Sequence, residues 1–364
     1  MKFKSINFTC KNCGGALLYA PKSSSLECPF CSSNEPIEKS NQQIKEHDFD
    51  YTLKTMDIHS LQKEKREIKC TKCSAPFELN SNLVSSICPY CETPAITEFI
   101  QKIAPESILP FSVTHKEAQA KFREWIGSLW LAPKELKEFV DGHQKLIGFY
   151  IPYWTYDSQT TTRYSGERGD VYYVTVQKRV IIDGKEQIVN EREARINWTP
   201  VSGIVYNSFD DITIGASKTI SNTLLDSLAP WDTHRLIPLN KKYLSGFNSE
   251  EYTITVDRGF DLAKIKMDRV IYQTIKQDIG GDEQRVNHKN IEYHNSTYKY
   301  TLLPIWTAKF KWKNKTYDYA INAQTGKVVG ERPYSWIKII FLVIFIAIIL
   351  GGIVWYLEEY SQYI

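Results

Sequence analysis

The sequence has little net charge, no cysteine outside a CxxC pair, and a single long apolar run. Its 45 Lys and Arg residues against 42 Asp and Glu leave a net charge of +3 over 364 residues. This balance predicts neither the basic field typical of nucleic-acid binding nor an acidic tail. The first residues, MKFKSINFTC, lack an apolar core and a small-residue cleavage site, so no signal peptide is expected.

Common catalytic motifs are also missing. The sequence contains no GxSxG, HExxH or GxxxxGK[ST] pattern, and its histidines are scattered. Asp210, Asp211, Asp232 and His234 are the remaining candidates for an acid–base or metal constellation, with ordinary surface polar groups as the default interpretation. We therefore expect a protein that is not an enzyme.

The eight cysteines form two quartets of paired CxxC motifs, and the second quartet repeats the first sixty residues later. Zn²⁺ prefers four thiolates in a tetrahedron, and two CxxC turns supply them. A redox function is disfavoured because redox CxxC motifs do not occur as duplicated quartets, whereas iron is an alternative occupant of a tetrahedral sulfur site. A closed four-thiolate set predicts two structural zinc ions in ribbons 1–35 and 67–100. The predicted ligands are Cys10, Cys13, Cys28, Cys31, Cys70, Cys73, Cys88 and Cys91.

The ribbon loops carry few basic residues, which disfavours phosphate binding. Pro29-Phe30 and Pro89-Tyr90 are expected to pack locally over the zinc, with apolar contacts to a protein partner as the alternative. Residues 36–66 are polar and charged, and they are predicted to form a flexible linker or a short solvated helix. Its histidines, His47 and His59, are not expected to bind metal.

Residues 101–335 predict an α+β domain with mainly antiparallel strands. Thr114 with Glu117 has the pattern of a capping box, and Glu250–Ile279 predicts one long helix that Gly280-Gly281 ends. Asp183-Gly184 predicts a hairpin turn between two strands, and Ser165-Gly166 predicts the end of a shorter one. Trp125 and Trp130 are expected in the core.

The apolar run Ile339–Leu357 contains no charged residue. As a helix it is about 28 Å long, close to the roughly 30 Å hydrocarbon core of a bilayer. A buried core helix is disfavoured because the run has no polar face. We expect a membrane span at 336–357 and a short tail at 358–364. Lys327, Arg332 and Lys338 precede the run and no basic residue follows it, which favours a cytoplasmic N-terminal side.

Taken together, these segments resemble a bacterial family of membrane-anchored double zinc-ribbon proteins (YdjG-like). Its members are often labelled TFIIB-type zinc ribbon-containing or, misleadingly, as related to the primosomal helicase PriA. Besides the cysteine quartets, the resemblance rests on ILPF at Ile108, YIPYWTYD at Tyr150, NWTPVSG at Asn197, FDDITIGAS at Phe209, LAPWD at Leu228, YLSGF at Tyr243, DIGGD at Asp278, LLPIW at Leu302 and TGKVVGERPYS at Thr325.

The resemblance implies a cytoplasm-facing component of an envelope-stress cluster in the bacterial plasma membrane. Neighbours of family members include the membrane-remodelling protein PspA and SPFH-domain proteins. It therefore predicts a tail-anchored, single-pass adaptor that docks PspA-like, SPFH-type or other membrane-protein partners, with a membrane-tethered nucleic-acid-binding protein as the alternative. In this family, glycine commonly follows the second cysteine of a CxxC pair. Here Ser32 follows Cys31 and Glu92 follows Cys91, which affects the expected surface contacts of the ribbons.

Overall fold

The computed structural model describes residues 2–361 apart from 39, 41, 60, 62–65, 81, 134–145, 183–184, 313–314 and 333. Helices and mainly antiparallel strands mix along the chain, which confirms the α+β class. The helices are α1 (Phe49–Thr55), α2 (His115–Ser128), α3 (Asn222–Leu228), α4 (Val256–Ile279) and α5 (Trp336–Ser361), with 3₁₀ turns at Thr233–Arg235 and Lys241–Leu244. The strands are β1 (Lys2–Lys4), β2 (Leu18–Ala20), β3 (Ser25–Glu27), β4 (Asn34–Pro36), β5 (His47–Asp48), β6 (Arg66–Lys69), β7 (Pro76–Leu79), β8 (Leu83–Ile87), β9 (Pro94–Ile96), β10 (Ser107–Ile108), β11 (Ile147–Ile182), β12 (Lys185–Gly215), β13 (Ile237–Pro238), β14 (Asn248–Glu250), β15 (Glu283–Trp312), β16 (Lys315–Asn322) and β17 (Val328–Gly330).

Three very long antiparallel strands form the centre of the fold. β11 has 36 residues, β12 has 31 and β15 has 30, with β11 between the other two. At about 3.3 Å per residue, β11 is about 120 Å long if fully extended. Because β15 begins opposite Gly169, residues 170–182 and 185–197 continue as a two-stranded arm. The predicted Asp183-Gly184 turn lies outside the described residues, although Ile182 pairs with Lys185 beside it.

The prediction that a strand ends at Ser165-Gly166 is wrong, because β11 continues through both residues. A Cβ atom on Gly166 would lie 2.2 Å from the Arg285 carbonyl oxygen of the neighbouring strand. The register between β11 and β15 also shifts between Ser165 and Gly166. The glycine therefore marks a close approach of two backbones at a bulge rather than a turn.

Helix α4 covers one face of the long strands. It begins at Val256 instead of Glu250, because β14 takes residues Asn248–Glu250. Its buried side chains continue through Met267 to Ile271 and Ile275. The helix ends as predicted, since Gly280 and Gly281 have φ of 64° and 72°.

The N-terminal part of α4 approaches the sheet closely at Gly259. An added Cβ would lie 2.2 Å from the Tyr156 hydroxyl oxygen, and that hydroxyl donates to the Val256 carbonyl at 2.6 Å. Trp154 is fully buried beside it and donates from Nε1 to the Ile254 carbonyl at 2.8 Å. Glycine at 259 thus lets the helix lie on hydrogen-bonded aromatic rings.

Helix α2 begins with the predicted capping box. The Glu117 amide donates to the Thr114 hydroxyl at 3.3 Å, and the Glu117 carboxylate accepts from the Thr114 amide at 2.9 Å. Trp125 is only partly buried and Trp130 is 64% exposed, so the expectation that both lie in the core is wrong for Trp130.

The described part of the segment 36–66, predicted to be a linker, packs against the sheet. β5 pairs with β15, and Phe49 of α1 is buried with its ring centroid 4.3 Å from that of Phe260. Arg66, the last residue of this predicted linker, is completely buried in β6. The burial of an aromatic ring and a paired guanidinium here corrects the expectation of a solvated segment.

Both cysteine-containing units are part of the folded body. In the first, Tyr19 of β2 packs edge-on against Tyr243, and its amide donates to the Ser245 carbonyl at 2.9 Å. In the second, β8 pairs with β14 and so joins the large sheet. Strand β1 lies at the start of the first unit but pairs in parallel with β6 of the second, which links the two. The predicted domain boundaries stay a prediction.

Candidate metal centres

The structure brings the eight predicted ligands together as two compact groups of four. Within each group, the four Sγ atoms all lie within 4.8 Å of one another. The closest pairs are Cys13 with Cys28 at 3.4 Å and Cys10 with Cys31 at 3.6 Å; the second group has Cys70 with Cys91 at 3.6 Å and Cys73 with Cys88 at 3.9 Å. A tetrahedron with Zn–S bonds of about 2.3 Å has sulfurs about 3.8 Å apart. Each group is therefore able to hold a metal ion of that size.

All four CxxC turns, which we call knuckles, have the same backbone hydrogen bonds. In the first, the Gly14 amide donates to the Cys10 carbonyl at 2.9 Å, and the Cys10 amide donates to the Gly15 carbonyl at 2.7 Å. The equivalent pairs recur at Cys28, Cys70 and Cys88. This repetition shows that the local sequence specifies the turn, since the same geometry forms in four different surroundings.

The residue after the second cysteine of every knuckle is left-handed. Gly14, Ser32, Ser74 and Glu92 have φ of 71°, 57°, 60° and 58°. Glycine adopts this conformation without strain, which explains physically why CG is favoured at the end of a knuckle. Ser32 and Glu92 keep the turn and add side chains to it at a steric cost.

Two hydroxyl groups next to the cysteine groups are functional candidates that the sequence reasoning missed. The Ser33 hydroxyl lies 2.9 Å from Cys10 Sγ and lowers the pKa of Cys10 to about 6. The Thr93 hydroxyl lies 3.4 Å from Cys91 Sγ and lowers the pKa of Cys91 to about 6. Their equivalent places in the two repeats are the signal that would have found them. Both favour the thiolate form that binds metal.

In each group another cysteine has a raised pKa and keeps its proton. The Gly15 backbone amide lowers the pKa of Cys13, but the neighbouring thiols of Cys28 and Cys31 outweigh it and raise that pKa to about 12. The pKa of Cys73 is likewise raised to about 12, because burial and the surrounding thiols outweigh the Ala75 amide. Four adjacent sulfurs cannot all be thiolates without a cation between them, so metal binding must release protons.

The knuckle tips carry exposed aromatic rings. Phe30 is 73% exposed and Tyr90 is 69% exposed, so the expected local packing over the metal leaves most of each ring in solvent. Lys72 of the second unit lies with Nζ 5.9 Å from the centroid of Phe30 in the first. This contact places a knuckle of one unit beside a knuckle of the other.

Two of the acidic candidates, Asp210 and Asp211, lie with Asp157 in a third group, and Lys299 partly offsets its negative charge. Asp157, Asp210 and Asp211 lie together, and the Lys299 ammonium is 2.7 Å from Asp211 Oδ1. Burial lowers the pKa of Lys299, but the contacts with Asp211 and Glu46 and the nearby Asp157 carboxylate together outweigh burial, so the pKa is raised. Asp157 also accepts from the Asp211 amide at 2.6 Å. The group is thus an internal ion-pair network.

The other polar candidates lie apart from these groups. Asp232 is next to the 3₁₀ turn that contains His234, and its amide donates to Gln324 at 2.9 Å. His47 lies 2.6 Å from Glu106, and neither His47 nor His59 belongs to a metal-binding group among the described residues. The absence of enzymatic activity stays a prediction.

Helix α5 contains the candidate membrane span. Residues Trp336–Leu357 are long and apolar enough to cross a bilayer, and none of this stretch is buried inside the described fold. A buried core helix, the alternative interpretation, does not fit that exposure. The helix therefore suggests membrane anchoring.

Fold and site together define a protein with two four-cysteine centres, a larger α+β body and a candidate membrane helix. Over 335 residues the chain is 26% identical to the uncharacterized protein YdjG of Bacillus subtilis (strain 168), which covers 91% of each chain. No protein-family model matches the sequence. No solved structure matches it either.

Proposed function

We propose that this chain is a membrane-anchored zinc-ribbon adaptor of the YdjG-like kind, which docks a protein partner through the tips of its knuckles. The observation that carries the proposal is the pair of exposed aromatic rings, Phe30 and Tyr90, on two adjacent units. Exposed aromatic residues on a rigid surface are typical anchors of protein interfaces. The two metal centres would hold these anchors in a fixed geometry.

Zinc is the metal that we assign to both centres. Four thiolates are a set of soft ligands that favours Zn²⁺, and they leave no open position for water or substrate. The strands in the first unit are only three residues long, so its own core is small. The metal would therefore contribute to folding rather than to chemistry.

We place the body on the cytoplasmic side of a bacterial plasma membrane. Lys327 and Arg332 precede the span and Lys338 lies in its first turn, whereas residues 358–364 contain no basic residue. A reducing compartment also suits eight free cysteines. Anchoring confines the knuckles to a surface, which raises their effective concentration toward a partner at the same membrane.

The partner class that we propose is a PspA-like or SPFH-type protein, or another membrane protein. Nucleic acid is the alternative, and the surroundings of the knuckles argue against it. Near the two tips, Lys72 faces the Phe30 ring, while Glu92 directly follows Cys91. A phosphate backbone requires clustered basic residues, which this mixed charge does not supply.

The test is in-cell crosslinking followed by purification of the full-length protein. The informative variant is Phe30→Ser/Tyr90→Ser, because replacing Cys70 or Cys73 would disturb a unit that is joined to the large sheet. Tyr206→Ser is the matched control, since Tyr206 is 72% exposed on the long strand β12.

We expect wild type and the Tyr206 variant to recover a PspA-like or SPFH-type partner. The double knuckle variant should lose that partner while it keeps its zinc and stays in the membrane. Equal recovery by all three proteins would contradict docking at the knuckles. Recovery of nucleic acid without a protein partner would favour the alternative.

A further inference from the structure

The loop after α2 is fastened to the first turn of the candidate membrane helix. The Ser335 amide donates to the Leu131 carbonyl at 2.8 Å. The Lys338 ammonium donates to the carbonyls of Trp130 and Ala132 at 2.9 and 2.6 Å. Three consecutive residues of the loop, 130–132, are thus held by the residues at which α5 begins.

These bonds determine the depth of the loop relative to a bilayer. The apolar stretch begins at Trp336, and Lys338 is only two residues further along, which is about 3 Å of helix rise. If α5 crosses the membrane, the loop must lie where hydrocarbon gives way to headgroups. The ammonium of Lys338 points back to the protein body, since it bonds two of its carbonyls.

Large amphipathic side chains surround this junction and stand in solvent. Trp130 is 64% exposed, Tyr334 is 57% exposed and Trp336 is 77% exposed. Exposing more than half of two Trp side chains and a Tyr side chain to water is unfavourable, whereas the interface of a bilayer accommodates both their apolar rings and their polar groups. All three lie within a few residues of the hydrogen bonds that join the loop to the helix.

An unpaired cation completes the surface. Arg332 is exposed and forms no ion pair with any residue that the structure describes. Its guanidinium carbon lies 5.9 Å from the Trp125 ring centroid, and it lines a cleft of about 160 Å³ together with Trp130 and Tyr334. A guanidinium suits the phosphate of a phospholipid headgroup, because it presents several donors in a planar fork.

We propose that Trp130 and Tyr334 form a second membrane contact beside Trp336, the first residue of the span, in which the rings enter the bilayer interface and Arg332 binds a headgroup phosphate. The partner is the phospholipid bilayer itself. The contact would hold the α+β body in one orientation on the membrane instead of leaving it free to swivel about a single helix. The inference rests on the proposed membrane span, and its test separates the two.

The test places the photocrosslinking residue p-benzoylphenylalanine at one position at a time in the full-length protein in bacterial membranes. Position 346, in the middle of the span, reports membrane insertion. Position 130 reports the proposed contact, and position 206 on the long strand is the exposed negative control. Phospholipid adducts are then measured by mass spectrometry after irradiation.

We expect phospholipid adducts at 346 and 130, with at least tenfold fewer at 206. Adducts at 346 but none at 130 would overturn the second contact and leave the span intact, whereas adducts at neither position would overturn both. Equal yields at 130 and 206 would also overturn the contact. Arg332→Glu should lower the yield at 130 several-fold and leave that at 346 unchanged; an unchanged yield at 130 would refute the role of Arg332.

Discussion

A completely buried ion pair connects the second cysteine-containing unit to the α+β body. The side chains of Arg66 and Glu251 are 0% and 1% exposed, and their charged groups are in direct contact. Arg66 also donates to the Thr97 hydroxyl at 3.0 Å, and Glu251 accepts from the Gln101 amide at 3.1 Å. Phe3 of β1 lies against the guanidinium, with 5.6 Å between its ring centroid and the guanidinium carbon.

Replacing Arg66 with Met leaves the Glu251 carboxylate buried without its counter-charge. We expect this change to lower the free energy of unfolding by about 3–5 kcal/mol, the usual cost of breaking a buried pair on one side. The double variant Arg66→Met/Glu251→Gln should recover much of this loss, because the amide oxygen still accepts from the backbone and no charge is buried.

The stability loss caused by Arg66→Met should depend on pH. Burial raises the pKa of Glu251, and Arg66 opposes that rise. Without Arg66, the pKa of Glu251 in the folded protein rises further. Above that pKa the buried carboxylate is charged and destabilises the fold, and this destabilisation is lost as the pH falls through the pKa and the group becomes neutral. The deficit of Arg66→Met relative to wild type should therefore be smaller at pH 5 than at pH 8.

The assay is urea unfolding of the full-length protein in detergent, followed by tryptophan fluorescence. Arg163→Met is the matched control, because Arg163 pairs with Glu292 at 2.6 Å and both side chains are largely exposed. Removal of that exposed pair should cost less than about 1 kcal/mol. If Arg66→Met costs no more than the control, or if the double variant shows no recovery, the reasoning about the buried pair is refuted.

Four further predictions concern single sites. Elemental analysis should find two zinc ions per chain in wild type and one in Cys13→Ser after dialysis against a chelator; two in both would contradict the ligand assignment. Gly259→Ala should lower the free energy of unfolding, measured by urea titration, by about 1–3 kcal/mol, because the added Cβ meets a tyrosine hydroxyl. Gly127→Ala on α2, where no atom lies within 4 Å of the added Cβ, should instead raise it by up to about 1 kcal/mol. A left-handed backbone at Glu92 costs about 1 kcal/mol, so Glu92→Gly should remove this strain and raise the thermal midpoint. An unchanged midpoint would show that the turn is unstrained. The pKa of Glu117 is lowered to about 2 by the hydrogen bond from Lys22 and then by Thr114, so the advantage of wild type over Glu117→Gln, below about 1 kcal/mol at this exposed site, should be present at pH 7 and lost as pH falls from 4.5 through about 2.

Local sequence predicted the features that depend on neighbouring residues. The CxxC spacing predicted two groups of four sulfurs, the Thr114–Glu117 pattern predicted a capping box, and Gly280-Gly281 predicted the end of α4. In each case a few consecutive residues determine the backbone geometry, so the pattern can be recognised without the rest of the fold. The uninterrupted apolar run likewise identified the candidate membrane helix.

Other features depended on residues far apart in the chain. Gly166 looked like a turn residue, but it lies inside a 36-residue strand because Arg285, more than a hundred positions later, passes close beside it. Arg66 looked like part of a solvated charged run, but Glu251 provides a buried partner. Trp130 looked like a core residue, but the helix α5 brings its loop to the exposed junction.

The sequence by itself determined the cysteine centres, the helix caps and the apolar helix, because these rest on chemistry within a few positions. The tertiary structure alone decided which charged and aromatic side chains are buried, since that depends on partners more than a hundred residues away, such as Glu251 for Arg66 and Lys338 for the Trp130 loop. No local pattern contains that information, because burial is a property of the assembled surface and not of the segment.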